Sequence, residues 1–264
     1  MLTQIPVWRD GPADGPTNMA ADECLAEEAI ALGGPVVRLY GWTATTVSLG
    51  AFQPVAEARS EPAIAEAPLV RRPSGGGAIV HGSDLTYAAA VPKQHPLGGR
   101  PQAFYTAFHA ALIAALAEWG VVARLWKPEE PDPRAGTNSF FCFDRRAEGD
   151  VVASRPGAAP AADDPKIMGS AQRRLAGAVV QHGSLLVRSA PGVGPAARHP
   201  GLADLWGSAV DPGAEHLAIR WLEQVAHGLG GQIVARAEPF TDGREDRIAQ
   251  LAATYASPRW LERR

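Results

Sequence analysis

Three stretches of this sequence hold residues whose types and spacing could do chemistry. Cys142, in Ser139-Phe140-Phe141-Cys142-Phe143-Asp144, carries a thiol that becomes a nucleophile where a neighbouring cation or base favours its thiolate. Lys166 opens Lys166-Ile167-Met168-Gly169-Ser170-Ala171-Gln172. A cation held there could polarise a carbonyl or stabilise an oxyanion, and the small step Gly169-Ser170-Ala171 would let a ligand lie against the backbone. Finally, Arg71-Arg72-Pro73-Ser74 leads into Gly75, Gly76 and Gly77 and on to His81. Consecutive glycines lose much backbone freedom on folding, so the triplet implies a ligand, or a second backbone, closer than a Cβ would allow. The arginines add planar donor forks suited to carboxylate or phosphate. His81 and His182, the latter in Gln181-His182-Gly183-Ser184, lie at strand edges that could face the same place.

Each of these residues also fits a plainer role. The glycine run alone is compatible with a tight turn behind two surface arginines. A lone cysteine among aromatics fits core packing, and a lysine at the head of an apolar strand fits a snorkelling surface residue. Either histidine fits a satisfied core position, and Cys24, among small residues on a helix, fits packing. The glycine run is neither a Walker loop, since no Gly-Lys-Ser/Thr follows, nor a dinucleotide fingerprint.

The elements that must position these residues are readable from periodicity. A helix is predicted from an Asn18 N-cap to Gly33-Gly34, with Asp22 and Glu23 in its first turns and Ala21, Leu25, Ala29 and Leu32 on one face. Residues 36–40 and 45–52 read as strands, 62–67 as a short helix or loop, and 69–72 as a strand entering the glycines. Residues 78–81 and 85–91 read as a strand pair across Gly82-Ser83. The helix at 103–119 carries Phe104, Phe108, Leu112, Ala115 and Leu116 on one stripe. A strand at 121–126 leads into a Pro-rich loop at 128–137, and 140–144 and 149–153 look extended. Residues 155–165, rich in Ala, Pro and Asp, read as a mobile hairpin loop. Strands follow at 166–171, 177–187 and 232–235, and helices at 215–229 and 244–255. Strands joined by short turns yet interleaved with helices predict an α+β protein with a central mixed, largely antiparallel sheet and flanking helices.

Composition sets the outer bounds. Hydrophobic residues make up 46% of the 264 and charged residues 20%, enough for a sizeable core. The net charge of −3 gives no global basic balance, so no nucleic-acid partner is expected. Two distant cysteines form no metal-spaced cluster and fit a reducing compartment. The N-terminus lacks a signal-peptide layout, and no apolar run approaches the roughly 20 residues of a bilayer span. The expectation is a cytoplasmic protein without a membrane partner, one domain over 1–264.

Taken in order, several segments resemble the lipoate-protein ligase A / octanoyltransferase family. These are Asn18 to Glu23; Arg38-Leu39-Tyr40-Gly41-Trp42 with Ser48-Leu49-Gly50 and Phe52-Gln53; Arg71 to His81 with Asp84-Leu85-Thr86-Tyr87; Lys166 to Gln172; Gln181 to Ser184; and Tyr255-Ala256-Ser257 with Trp260. The resemblance implies a biotin/lipoate protein ligase catalytic domain of class II synthetase type. Cys142 in Cys-Phe-Asp is similar to the nucleophile segment of the cysteine-dependent, Gram-positive-type octanoyltransferases. That branch commonly has Gly-Gly-Arg where this chain has Gly75-Gly76-Gly77, and the third glycine resembles the ligases.

The implied activity is transfer of octanoate from octanoyl acyl carrier protein, through a Cys142 thioester, to a lysine of a lipoyl domain (the glycine cleavage H protein or a 2-oxoacid dehydrogenase E2). Lys166 would hold the acyl carbonyl. Arg72, Gly75, Gly76, Gly77, His81, Gly169, Ser170, Ala171 and His182 would border the acyl site. Lys166 and His81 both stand as candidates to take the acceptor lysine's proton. No cofactor or metal is needed. The alternatives are a lipoate ligase, which would use ATP and magnesium with Cys142 as packing, and a non-catalytic acyl- or lipoyl-domain-binding protein.

Overall fold

Strands β6 (Asp84–Pro92) and β10 (Ala178–Leu186) are small or apolar at almost every position and buried nearly throughout. Such runs suit the centre of a sheet covered on both faces. In the computed structural model, which describes residues 3–129, 139–175, 177–190, 199–207, 214–236 and 244–263, these two strands pair antiparallel at the middle of a mixed sheet. Its order is β11 (Gly231–Arg236), β1 (Thr3–Arg9), β2 (Val36–Tyr40), β6, β10, β9 (Lys166–Leu175), β8 (Val151–Ala153) and β7 (Ala123–Leu125). The β11–β1–β2 pairings are parallel and the rest antiparallel. A smaller sheet, β4 (Leu69–Arg71), β3 (Thr46–Leu49) and β5 (Ile79–His81), carries the glycine loop between β4 and β5.

Side-chain alternation sorts the core into two layers. Tyr87, Ala89 and Val91 face helices α3 (Pro101–Ala117) and α5 (Ala214–Gly228), where Phe104, Phe108, Leu112 and Trp221 are buried. Ala88 and Ala90 face α1 (Gly15–Leu32) and α6 (Arg244–Ala256), against Met19, Leu25, Leu251 and Tyr255. The expected α+β class with flanking helices is the observed one. None of the described helices is long and apolar enough to cross a membrane.

Several local expectations are corrected. Helix α1 starts at Gly15, capped by the Asp14 carboxylate, which accepts from Thr17 N at 2.9 Å. Asn18 is inside the helix and buried, and it ties Ala13 O and Gly41 O. Asp22 is not a dipole partner but a buried ion-pair partner of Arg38 at 3.0 Å, because the guanidinium on β2 faces α1 and needs a counter-charge there. The predicted β5–β6 hairpin does not form. Strand β6 has β2 and β10 on its two edges and no edge left for β5, which pairs with β3 instead. For the same reason β2 and β3 lie in different sheets.

The short helix is α2, Val55–Ser60, and 62–66 are turns. Residues 155–165 do link an antiparallel pair, but they are tied down. Arg146 donates to Ala162 O and Asp164 O, and the buried Asp164 accepts from the Ser154 hydroxyl. Most of the Pro-rich loop, 130–138, lies outside the described residues. Strand β1 and the short helices α4 (Leu202–Trp206) and α7 (Pro258–Leu261) were not anticipated.

Trp221 joins α5 to the sheet. Its ring meets Tyr87 edge-on at 5.0 Å, and its indole N–H donates to Phe108 O at 2.8 Å. Trp221→Ala is expected to lower stability by about 3–5 kcal/mol, read from chemical denaturation, because a large cavity results.

Candidate functional site

Cys142 is set by a short ladder between the glycine loop and the segment before it. Ala78 N donates to Phe140 O at 2.9 Å, and Cys142 N donates to Ala78 O at 2.8 Å. The chain then leaves the extended path predicted for 140–144 and winds into a 3-10 turn, Cys142–Asp144. Asp144 causes that turn: its carboxylate accepts from the Ser139 hydroxyl at 2.5 Å and pairs with His199 Nε2 at 2.8 Å. Phe141 and Phe143 are buried, whereas Cys142 is half-buried.

Gly77 is the residue this arrangement requires. A Cβ on it would sit 2.8 Å from Cys142 N and 2.9 Å from Cys142 Cα. The close approach read from the glycine triplet is therefore to another backbone at Gly77. Gly76 has φ +99, the left-handed region, and Gly75 faces open space. The loop also stacks on Gly50, where a Cβ would fall 2.0 Å from Gly76 O.

The two arginines hold this loop. Arg71 is buried and donates to the carbonyls of Gly50, Ala51, Gln53 and Leu261. Arg72 is buried and donates to Ser48 O and Oγ and to Gly75 O and Gly77 O. The donor forks expected to await an anion are turned mainly to backbone carbonyls, and Arg72 Nε is buried without a hydrogen-bond partner among the described residues. Burial lowers the pKa of each below the ordinary arginine value.

Lys166 is not a snorkelling residue. Its side chain is 4% exposed, and Nζ lies 2.7 Å from Asp150 Oδ2 and 3.7 Å from Cys142 Sγ. Nζ also donates to Cys142 O at 3.4 Å and Arg145 O at 3.3 Å. Burial works against its charge, but Asp150 and Cys142 outweigh that, and its pKa lies above the ordinary lysine value. Asp150 is fixed in turn by Tyr105 OH on Oδ1 at 2.9 Å and Ala147 N on Oδ2 at 2.7 Å. Gly169 leaves the space the lysine needs, since a Cβ there would meet Lys166 Nζ at 2.8 Å.

A cleft opens beside Cys142. Of the residues singled out from sequence, Cys142, Arg72, Gly75, Gly76, His81, Gly169, Ser170, Ala171 and His182 line it. Gly77 and Lys166 stand behind that wall. The sequence reading missed Met19, Tyr40, Trp42, Ile79, Thr86, Gly183 and Ser184 on the lining, and the carboxylates Asp22, Asp84, Asp144 and Asp150 behind it. All of these except Asp150 sat in motifs already noted, among them Tyr40, Trp42 and Thr86. Nothing local marks Asp150 or His199.

The histidines are satisfied yet face the cleft. His81 stacks on Trp42 at 4.0 Å, with Nδ1 on Asp84 at 2.8 Å and Nε2 2.7 Å from Ser48 Oγ. His182 Nε2 is 2.5 Å from Ser74 Oγ, and Nδ1 is 3.6 Å from Asp22. Ser170 turns its hydroxyl away from the cleft, towards Tyr87 OH at 2.8 Å and His109 Nε2 at 2.7 Å. Burial pushes His109 down to about 4, so it is neutral at physiological pH. Cys24 is fully buried, and its thiol is pushed up to about 12 by burial, as a packing residue would be. Among the described residues no three His, Cys, Asp or Glu are grouped to hold a metal ion.

Gly77→Ala should displace Cys142 from the Lys166 ammonium. Since Cys24 is inaccessible, iodoacetamide labelling reads Cys142 alone. Its rate is expected to fall several-fold in Gly77→Ala while the far-UV spectrum is kept, and an unchanged rate would refute the constraint.

Comparison with known proteins yields one consistent set of relatives. Residues 14–193 match the family model described as the lipoyl protein ligase A/B catalytic domain. The chain is 31% identical over 288 residues to an octanoyltransferase LipM of Moorella thermoacetica, spanning 97% of this chain and 98% of that one. It is 29% identical over 286 residues to the octanoyltransferase LipM of Kyrpidia tusciae, spanning 97% and 99%. Among solved structures, a lipoate-protein ligase A bound with ATP superposes with TM-score 0.68 at 18% identity over 99% of both chains. A bipartite lipoate protein ligase from Thermoplasma acidophilum, studied with its E2 lipoyl domain, gives TM-score 0.68 at 19% identity, over 99% of this chain and 96% of that one. At such identities these two likenesses concern the fold.

Proposed function

The chain belongs to the lipoyl protein ligase A/B catalytic-domain family, and from that premise we propose that it is an octanoyltransferase acting on lipoyl domains, with Cys142 as the acyl carrier. The observation that carries the reading is Cys142 Sγ on the cleft wall, 3.7 Å from the buried ammonium of Lys166. Near-full-length similarity to octanoyltransferases supports it.

In the first step the Cys142 thiolate attacks the thioester carbonyl of octanoyl acyl carrier protein. A new C–S bond forms, the old one breaks, and the carrier leaves as a thiol after taking up a proton. In the second step the neutral amine of a lipoyl-domain lysine attacks the enzyme thioester. The C–S bond to Cys142 breaks, an amide forms, and the amine's proton is released. Two steps let one cleft serve two protein partners in turn. Lys166 faces the reacting sulfur with its charge held by Asp150, so it is placed to stabilise the sulfur anion and the tetrahedral oxyanion. Because Asp150 and nearby Cys142 favour the ammonium, Lys166 acts as a fixed cation, not as the base for the acceptor amine. Met19, Tyr40, Trp42 and Ile79 supply the apolar wall for the octanoyl chain. The scheme uses no nucleotide and no metal. The whole of 1–264 works as one catalytic domain.

Mixing the protein with octanoyl acyl carrier protein and a lipoyl domain, without ATP, should add one octanoyl group to the lipoyl domain by mass, and Cys142→Ser should abolish it. Modification that needs ATP, magnesium and free acid would instead identify a ligase; binding without modification under either condition, a non-catalytic partner.

Asp150→Asn keeps the shape but leaves the Lys166 charge without its counter-ion. It is expected to lower kcat by about 10²-fold with little change in KM. A change confined to KM would remove Asp150 from this role.

A further inference from the structure

The cleft is lined by many polar residues for a site proposed to hold a plain hydrocarbon chain. His81, Thr86 and Ser184 all lie on one stretch of wall. Each donates inward to the same carboxylate, Asp84, from His81 Nδ1 at 2.8 Å, Thr86 Oγ1 at 2.7 Å and Ser184 Oγ at 2.7 Å. Asp84 takes a fourth bond from Gly82 N at 3.0 Å, and its side chain is 0% exposed. Trp42 completes the set: its indole N–H donates to Thr86 Oγ1 at 2.9 Å, so that hydroxyl is both donor and acceptor within the wall.

On the neighbouring wall the pattern repeats. Tyr40 OH donates to Asp22 at 2.9 Å, and Ser170 Oγ is engaged by Tyr87 and His109. An ionised carboxylate only accepts, so a saturated buried Asp84 orients the hydrogens of its neighbours inward. Along the Asp84 stretch the cleft is left with ring faces, methyl groups and carbon edges.

From this geometry we infer that Asp84 is a positioning residue for acyl selectivity: by drawing in the donors of His81, Thr86 and Ser184, it makes the cleft reject chains that carry a hydroxyl. The inference rests on the transferase reading. Its substrate discrimination is between a saturated octanoyl thioester and the hydroxyacyl thioesters of the same length. A hydroxyl entering this wall would find its hydrogen-bonding groups already committed and would stay unpaired. Rejection by unpaired polar groups in a closed site commonly amounts to 10–100-fold or more, roughly, against the matching apolar chain. His81, beside it, together with the bonds from His81, Thr86 and Ser184, outweighs the effect of burial and holds the pKa of Asp84 down at about 2, so the carboxylate stays an acceptor through the physiological range.

The test offers the protein octanoyl, 3-hydroxyoctanoyl and 8-hydroxyoctanoyl pantetheine thioesters, and follows acylation of Cys142 by intact mass. In parallel, calorimetry measures binding of the three free acids to Cys142→Ser. Both readouts are expected to favour the unsubstituted chain by about tenfold or more over each hydroxylated one. Asp84→Asn, which brings an N–H group to face those donors, should reduce the preference to a few-fold. Ser184→Ala removes a wall hydroxyl already committed to Asp84 and adds no donor or acceptor to the wall, so it should keep the preference.

A wild-type preference near one overturns the inference. So does a folded Asp84→Asn with the wild-type ratio, or a Ser184→Ala that sharpens selectivity tenfold. Should Asp84→Asn fail to fold, the wild-type ratio and Ser184→Ala still decide. If no thioester acylates Cys142, the transferase reading fails, while the acid-binding ratio tests the cleft separately.

Discussion

The backbone contact between Gly77-Ala78 and Phe140 to Cys142 is the constraint around which the site is arranged. Two hydrogen bonds make it, and only a glycine permits it, because any Cβ at Gly77 would collide with main-chain atoms that cannot swing aside. Through it the glycine loop, carried by the small sheet, fixes the thiol. The large sheet supplies the lysine independently from β9. The 3.7 Å between sulfur and ammonium thus joins two sheets, the thiol set by backbone and the ammonium by Asp150.

Charge is managed with the same economy. Most of the buried cations of the site are answered by groups of the chain itself: Arg71 and Arg72 by carbonyls, Lys166 by Asp150, Arg38 by Asp22 and Asp10. Isolated, such charges would be costly to bury, and paired they stiffen the wall. The arginines looked like ligand-binding groups in the sequence and proved to be loop clamps. The carboxylates attracted little notice there and turn out to orient Tyr40, His81, Thr86 and Ser184 on the cleft wall. A wall can therefore be rich in histidine, serine and threonine and still present carbon to a ligand.

Much of this was legible in the chain. Long periodic segments such as α3 and the two-face burial of β6 and β10 follow from residue spacing, and the glycine triplet correctly announced a close approach. Cys142 and Lys166 were both recognisable as candidates. The failures have physical causes. An extended path through Phe140 to Asp144 was a fair inference from alternating aromatics, but Asp144 found Ser139 and His199 and curled the chain. A hairpin at Gly82-Ser83 was reasonable locally, but both edges of β6 were taken by β2 and β10.

Sequence alone determined the α+β class, the helix and strand content of the core, and the residue types able to do acyl chemistry, because these depend on periodicity and on functional groups. Tertiary structure decided which of them meet. Asp150 lies 16 positions from Lys166, and Ser74 lies 108 from His182. No local pattern encodes such pairs, since a counter-charge is selected by position in space after two sheets and four helices have packed. The same holds for Gly77, whose need for a missing side chain exists only once Cys142 has arrived beside it.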